Sequence, residues 1–334
     1  MSLIWIVAGA LVVASVGAAS PAADQDPVSR IEAQFAQDAR LDDVGFPLLK
    51  ATVPFCGDAA TRRPGFRYTS VAGFARELKE AGRLLGYVDT VSVVSVAKGG
   101  PADRAGLKAH DRILSVDGAA IPVGTRGMRA LRSRLQKAGR EARTEVQATV
   151  RRRGATQTLT IPLDSACAFS FVSWRETTAD AWGDGEAIAV TVPMMQYAAT
   201  DSVLAVVVAH EIAHNAIRRT TASSVSFQEA WRALGEVVGE AAIYAKGERW
   251  ASMREARPSG PFPGEVENRA DDLTAYLLAR VGRKARTSRD VWWSLLVSKD
   301  STLAWTKVHP TTADRLFRLD QIVAEVDAKK SAGI

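Results

Sequence analysis

The chain has 334 residues, 47% hydrophobic and 24% charged, with a formal net charge of +6. That length allows two domains, and that composition is of a globular protein. The basic residues are scattered, with local runs at Arg151-Arg152-Arg153 and Arg218-Arg219 and no interleaved aromatics, so no nucleic acid is expected as a partner.

The first 23 residues carry no charge, and an apolar run over residues 3–19 ends in small residues and Pro21. This pattern fits a signal peptide with a cleavage zone near residues 18–23, although the basic leader is missing. An uncleaved N-terminal anchor is the other reading, because the run approaches spanning length. Either one delivers the body to the periplasm or another extracytoplasmic space, and a retained segment would add membrane association. No later segment reaches spanning length. Residues 24–83 follow as an N-terminal helical segment; Ile31, Phe35, Leu41, Phe46, Leu48 and Leu49 give it an apolar face to pack on the C-terminal body.

Residues 84–164 form a second unit. Residues 90–96 alternate as a strand, Gly99-Gly100-Pro101 is a turn, and residues 102–106 are a short helical turn closed by Gly106. Residues 112–116 are a strand, and Asp117-Gly118 is a hairpin signal. Residues 125–138 put Met128, Leu131 and Leu135 on one helical face, and strands over 145–151 and 157–162 are joined by Arg153-Gly154. Taken together, residues 92–121 resemble a PDZ domain of the kind found in exported proteases. The resemblance implies a peptide groove between strand 91–96 and helix 125–138, with Leu84-Leu85-Gly86-Tyr87 supplying backbone N–H groups to a terminal carboxylate. The other reading is a PDZ domain that only shapes access to a neighbouring site.

The two cysteines, Cys56 and Cys167, flank this unit, which makes it an insertion in the surrounding fold. In an oxidising compartment they can pair; two buried free thiols are the alternative.

Residues 206–217, VVVAHEIAHNAI, place His210 and His214 four apart, with Glu211 after the first. Thr200 and Asp201 are N-cap residues ahead of the run, and on a helix positions i and i+4 share a face. Two neutral imidazoles can then share one zinc ion, with Glu211 beside it to handle the proton of a water. In an apolar run, three polar groups in one turn need a common partner, and a metal is the simplest. A third protein ligand must come from elsewhere. Residues 265–282 offer Glu267 as that ligand and Asp271 as a hydrogen-bond acceptor that fixes a ligand histidine. Glu265 and Asp272 fit an acidic first helical turn better. His309-Pro310 then stands at the entrance to a helix ending near Lys329.

In that order, HExxH, "ENRAD" and "HPTTADR" resemble the HtpX and CAAX-prenyl-protease-like zinc metallopeptidases, a gluzincin family, over roughly residues 167–325. Asp180-Ala181-Trp182-Gly183 stands where the family has an Asn-Ala-Phe-Ala-like start, and Pro193 where a glycine is usual. The resemblance implies an α+β chain: a mainly helical zinc metalloprotease domain with a small β-sheet over residues 165–334, plus the β-rich PDZ domain. It implies His210, His214 and Glu267 as ligands of one Zn2+, Glu211 as general base and then general acid, and Asp271 as the group that orients a ligand. His309 would stabilise the oxyanion or gate the metal, and Arg315 would anchor the His309 loop through a carboxylate. Residues 187–192 would be an edge strand for an extended substrate. The expected activity is an exported metalloendopeptidase acting on protein or peptide substrates in envelope quality control. A catalytically quiet or latent binding protein is the reading from another class.

Overall fold

The computed structural model describes residues 26–221, 257–258, 260–298 and 300–331. The apolar N-terminal segment lies outside them. Among the described residues, no helix is long and apolar enough to cross a membrane.

Helix α1 (Pro27–Ala51) starts where Asp26 accepts hydrogen bonds from the N–H groups of Val28 and Ser29, with Pro27 in the first turn. Its buried residues Ile31, Gln34, Asp38, Leu41, Val44 and Leu48 recur at helical spacing. Strands β1 (Ala60–Arg63) and β2 (Phe66–Thr69), helix α2 (Lys79–Leu84), strand β3 (Ser92–Val96), helix α3 (Pro101–Arg104), strands β4 (Arg112–Val116) and β5 (Ala119–Ala120), and helix α4 (Gly124–Arg140) follow. Strands β6 (Glu145–Arg152), β7 (Ala155–Pro162) and β8 (Asp164–Cys167) close this region.

Its main sheet has the order β2-β3-β4-β6-β7, with β5 on β4. The tight turns obey backbone chemistry: Asp117 and Gly118 have φ of 52° and 75°, and Arg153 and Gly154 have 49° and 87°, the left-handed pair that a two-residue hairpin needs. Val93, Leu107, Ile113, Leu131, Val146, Val150 and Ile161 make a core under α4. The sheet begins at Phe66, earlier than residue 84, where the sequence put the start of this unit.

Two corrections follow from pairing. β3 is hydrogen-bonded to β2 on one side and β4 on the other, so it has no free edge for a peptide. Leu84-Leu85-Gly86-Tyr87 ends α2, and Tyr87 is buried against Phe35, Phe74 and His110 rather than opening on a groove. The edge strand beside α4 is β2.

β1 pairs with β8, Ala60 opposite Cys167, at the point where the chain enters and leaves the unit. Cys56 and Cys167 are disulfide-bonded there, with Cα atoms 6.0 Å apart. Closing a loop of 111 residues' separation stabilises the fold by up to about 4–5 kcal/mol in the chain-entropy model.

The C-terminal body contains β9 (Ser170–Trp174), β10 (Ala181–Gly183), β11 (Ala187–Thr191), and helices α5 (Val192–Tyr197) and α6 (Asp201–Thr221). Then come α7 (Gly264–Arg280), α8 (Arg286–Val297), α9 (Trp305–Val308) and α10 (Ala313–Ser331). The sheet order is β10-β11-β9, with β11 antiparallel to β10 and parallel to β9. The segment expected as an edge strand, residues 187–192, is therefore the centre of this sheet. Every residue of β11 is buried, which its unbroken run Ala187-Ile188-Ala189-Val190 suits. Pro193 sits in the first turn of α5, where a missing N–H costs nothing.

α1 packs on α6 and β9, with Gly45 against the Phe171 ring; a Cβ there would stand 2.3 Å from it. The same helix also packs on α2 and β3, so both units share it. The fold is α+β, with one large core uniting α1, β11 and α6–α10.

Candidate metal centre

Helix α6 is apolar on nearly all sides, from Leu204 to Ala216, and is buried accordingly. That leaves His210, Glu211 and His214 at 0%, 1% and 5% exposure, so water cannot serve them. Thr200 Oγ1 accepts from Val203 N–H at the helix start. Gly183 lets β10 approach α6 so closely that a Cβ would sit 2.2 Å from Asn215 Oδ1.

The facing groups come from three further elements. Glu267 and Asp271 lie on α7, His309 follows α9, and Arg315 lies in the first turn of α10. His210 Nε2 and His214 Nε2 are 3.0 Å apart. Glu267 places Oε2 3.4 Å from the first and Oε1 3.3 Å from the second. His309 Nδ1 is 2.9 Å from Glu267 Oε1 and 3.3 Å from His210 Nε2. One donor atom from each of these four buried residues lies within 4.8 Å of the others.

Around this knot stands a second layer. Asp271 Oδ1 is 3.2 Å from His210 Nδ1, the outer nitrogen of that ring. Arg315 forks onto Asp271 through Nε at 2.6 Å and Nη2 at 3.0 Å. Its Nη1 reaches Glu267 Oε2 at 2.7 Å and donates to Pro310 O at 3.1 Å. One guanidinium thus ties α7 to the His309 loop, and it also lies 3.6 Å over the Trp292 ring. Glu211 points elsewhere: its Oε1 accepts from Trp305 Nε1 at 2.8 Å and lies 3.4 Å from His309 Nε2.

The electrostatics follow from burial and these partners. Burial alone would lower His210, but the Asp271 and Glu267 carboxylates outweigh it and raise the ring to about 9. Burial lowers His214 to about 4 and His309 to about 3. Burial opposes ionisation of Glu267, yet the three histidines hold its carboxyl far below the usual range. Glu211 is pushed up to about 8 by burial.

Four buried groups whose donor atoms lie within 4.8 Å of one another compete for a few shared protons. A cation satisfies them together. Three imidazoles and a carboxylate, without thiolate, are a donor set that zinc accepts. The residues present therefore fit a zinc ion.

The structure brings together all seven residues singled out from sequence: His210, Glu211, His214, Glu267, Asp271, His309 and Arg315. Sequence reasoning missed Trp305, Trp292 and Phe262, which stacks on His214 at 4.5 Å. Trp305 stands four residues before His309, and that spacing was the available signal. It also missed Arg257, which pairs with Glu176 and Asp180. That pair is why an aspartate is accommodated at 180.

A model of the PDZ domain matches residues 66–163, and a model of peptidase family M48 matches residues 141–323. Where the two overlap, β6 and β7 lie in the PDZ-like sheet. No curated protein matches the chain. Among solved structures, the chain is similar to the HtrA3 PDZ domain bound to a phage-derived ligand (FGRWV). That match has 22% identity and a TM-score of 0.24, and covers 32% of this chain and 88% of that one. It is also similar to the HtrA-type protease AlgW with a decapeptide, at 24% identity and a TM-score of 0.25, covering 32% of this chain and 30% of that one. The family model spans more than half of the chain and takes in the histidine pair, the α7 carboxylates and the His309 loop together, so the chain belongs to peptidase family M48.

Proposed function

We propose that this M48 peptidase is an extracytoplasmic zinc metalloendopeptidase, held by His210, His214 and Glu267 around one zinc ion. The observation that carries the reading is the convergence of those three donors with Glu211 beside them and not among them. Zinc bound there supplies a Lewis acid that polarises a scissile carbonyl and makes a water acidic enough to lose its proton near neutral pH. Glu211, held by Trp305 and raised by burial, takes that proton and passes it to the departing amine. Asp271 fixes the His210 ring, and Arg315 fixes Asp271.

The Cys56–Cys167 bridge supports an oxidising compartment, as does the uncharged N-terminal run, which would also tether an uncleaved chain to a membrane. Envelope quality control is the role that suits such a protease. Peptide recognition falls to the PDZ domain, at the β2 edge beside α4.

His309 favours a second reading of the resting enzyme. Its Nδ1 stands among the donors, so it fills the position a substrate would need. In this latent form the loop after α9 must withdraw before cleavage. His309→Ala is then expected to keep its zinc and to cleave faster than the parent. A fall in kcat of roughly a hundredfold to a thousandfold would assign His309 to the oxyanion instead.

The function is tested by casein cleavage with metal content measured on the same sample, before and after chelation and zinc return. Zinc-dependent internal cuts are the expected result. Removal of single N-terminal residues would make it an aminopeptidase, and no cleavage in either the parent or His309→Ala would make it a binding protein.

A further inference from the structure

The basic residues are scattered along the sequence, but the fold gathers them. Residues 66–163 hold 18 Lys and Arg against 8 Asp and Glu, a net +10, whereas the rest of the chain holds 25 against 29, a net −4. One strongly basic unit thus sits in a chain that is only mildly basic overall, and neither the metal centre nor the β2 edge makes use of that charge. The excess is concentrated on α4. Between Gly124 and Arg140 that helix has six basic residues and no acidic one.

Helix geometry sorts those six. Gly127, Leu131, Arg132, Ala138 and Gly139 form the buried side. Arg134 is held on the flank, where it donates to Ala119 O at 2.6 Å. Arg126, Arg129, Lys137 and Arg140, with Ser133 among them, stand three or four residues apart and line up along one exposed side. The stripe is about 21 Å long from Arg126 to Arg140. Glu141 approaches its end, 3.8 Å from Lys137, while Arg126 and Arg129 form no ion pair among the described residues. Two aliphatic side chains stand out near the other end. Val123, 57% exposed, immediately precedes the helix, and Leu84, 74% exposed, ends α2. The loop after α2 is joined to the start of α4 by Gly124 N–H, which donates to Asp89 O at 2.7 Å.

Like charges along one helix face repel one another, and an anion laid against them relieves that repulsion. A straight stripe on a convex helix meets an extended anionic surface, not a small ion. Val123 and Leu84 narrow the choice: aliphatic side chains enter the apolar edge of a lipid layer, and neither can stack on a base. We propose that the exposed side of α4 docks the PDZ-like unit onto a bilayer that carries anionic phospholipid, with Arg126, Arg129, Lys137 and Arg140 against the headgroups and Val123 and Leu84 at the leading end. The attraction fades within about a Debye length, so the stripe has to lie on the headgroup layer itself. The proposal takes only its setting from the extracytoplasmic reading. Docking needs neither zinc nor substrate, so it fails or holds separately from the peptidase activity.

The test is co-sedimentation of the full chain with vesicles of phosphatidylcholine alone and of phosphatidylcholine mixed with phosphatidylglycerol. The neutral vesicles measure what the N-terminal run contributes. The parent is expected to bind the anionic vesicles at least about tenfold more tightly at low salt and to lose that preference at high salt. Arg126→Gln with Arg129→Gln and Lys137→Gln should bring anionic binding down to the neutral level while zinc content stays the same. Arg283→Gln with Lys284→Gln and Arg286→Gln makes the same change in net charge on the C-terminal body and should leave the preference as it was. Ser133→Glu puts a carboxylate within the stripe and removes no cation. It should weaken anionic binding by about fivefold, and it covers the case in which the α4 triple variant misfolds. Equal binding of the parent to both kinds of vesicle would overturn the proposal. Equal losses from the two triple variants would also overturn it, because net charge would then be the cause. Binding to a DNA duplex that depends on α4 and exceeds binding to the vesicles would overturn it in favour of nucleic acid.

Discussion

Two buried charge clusters in this molecule are built on opposite terms. In the metal centre the one buried guanidinium, Arg315, meets two carboxylates and a carbonyl within 3.1 Å, and each of the three histidines has a carboxylate beside it. In the PDZ-like unit Arg132 is nearly as buried and has two nitrogens unmatched. The first cluster is fitted to a cation, and its second layer fixes the His210 ring through Asp271 and Arg315. The second has no carboxylate among the residues that line its cavity, which Phe66 and Leu135 make partly apolar. A completed cluster is rigid and suited to chemistry, whereas an incomplete one is suited to exchange.

The comparison breaks first if the metal centre can lose a donor and still work. His210→Ala should reduce zinc from about one per chain to nearly none, and casein cleavage by about a thousandfold or more. Elemental analysis and cleavage on the same sample check it. Retained stoichiometric zinc would show that the remaining donors suffice.

The next largest effect concerns the link between the two regions. Cys56→Ser with Cys167→Ser should lower stability by up to about 4–5 kcal/mol, read from urea unfolding. Zinc content of the folded fraction should not change, because neither cysteine is a metal donor, although the turns on either side of Cys56 pack on α6. Loss of the metal with the bridge would mean that the two units fold as one.

A smaller effect separates the donors from the layer behind them. Asp271→Asn should weaken zinc affinity by about tenfold to a hundredfold, measured by competition with a chelator. Cleavage should return when zinc is in excess. An affinity like that of His210→Ala would make Asp271 a direct ligand.

Most of the chemistry was legible because it is local. His210 and His214 share a helical face through spacing alone, as do Glu267 and Asp271. The hairpin turns were legible because Asp117-Gly118 and Arg153-Gly154 are chemically restricted. What sequence missed was decided by pairing. Residues 91–96 and 187–192 both read as strands, and both were assigned the wrong position in their sheets. An alternating or apolar strand looks the same at an edge as at a centre, and only β2 on β3, and β9 and β10 on β11, settle the matter. The loop at 84–87 was misplaced for the same reason, since the groove follows the edge strand. Trp305 was passed over because a tryptophan reads as core, and its spacing from His309 gains meaning only with its 2.8 Å bond to Glu211.

The central claim is that Glu211 moves a proton and binds no metal. Glu211→Gln keeps the size of the side chain and its acceptor for Trp305, and removes the base. Zinc content and casein cleavage, measured on one purified sample, should give about one zinc per chain and a kcat lowered by roughly a hundredfold to ten-thousandfold. Cleavage near that of the parent, with zinc in place, would contradict the account.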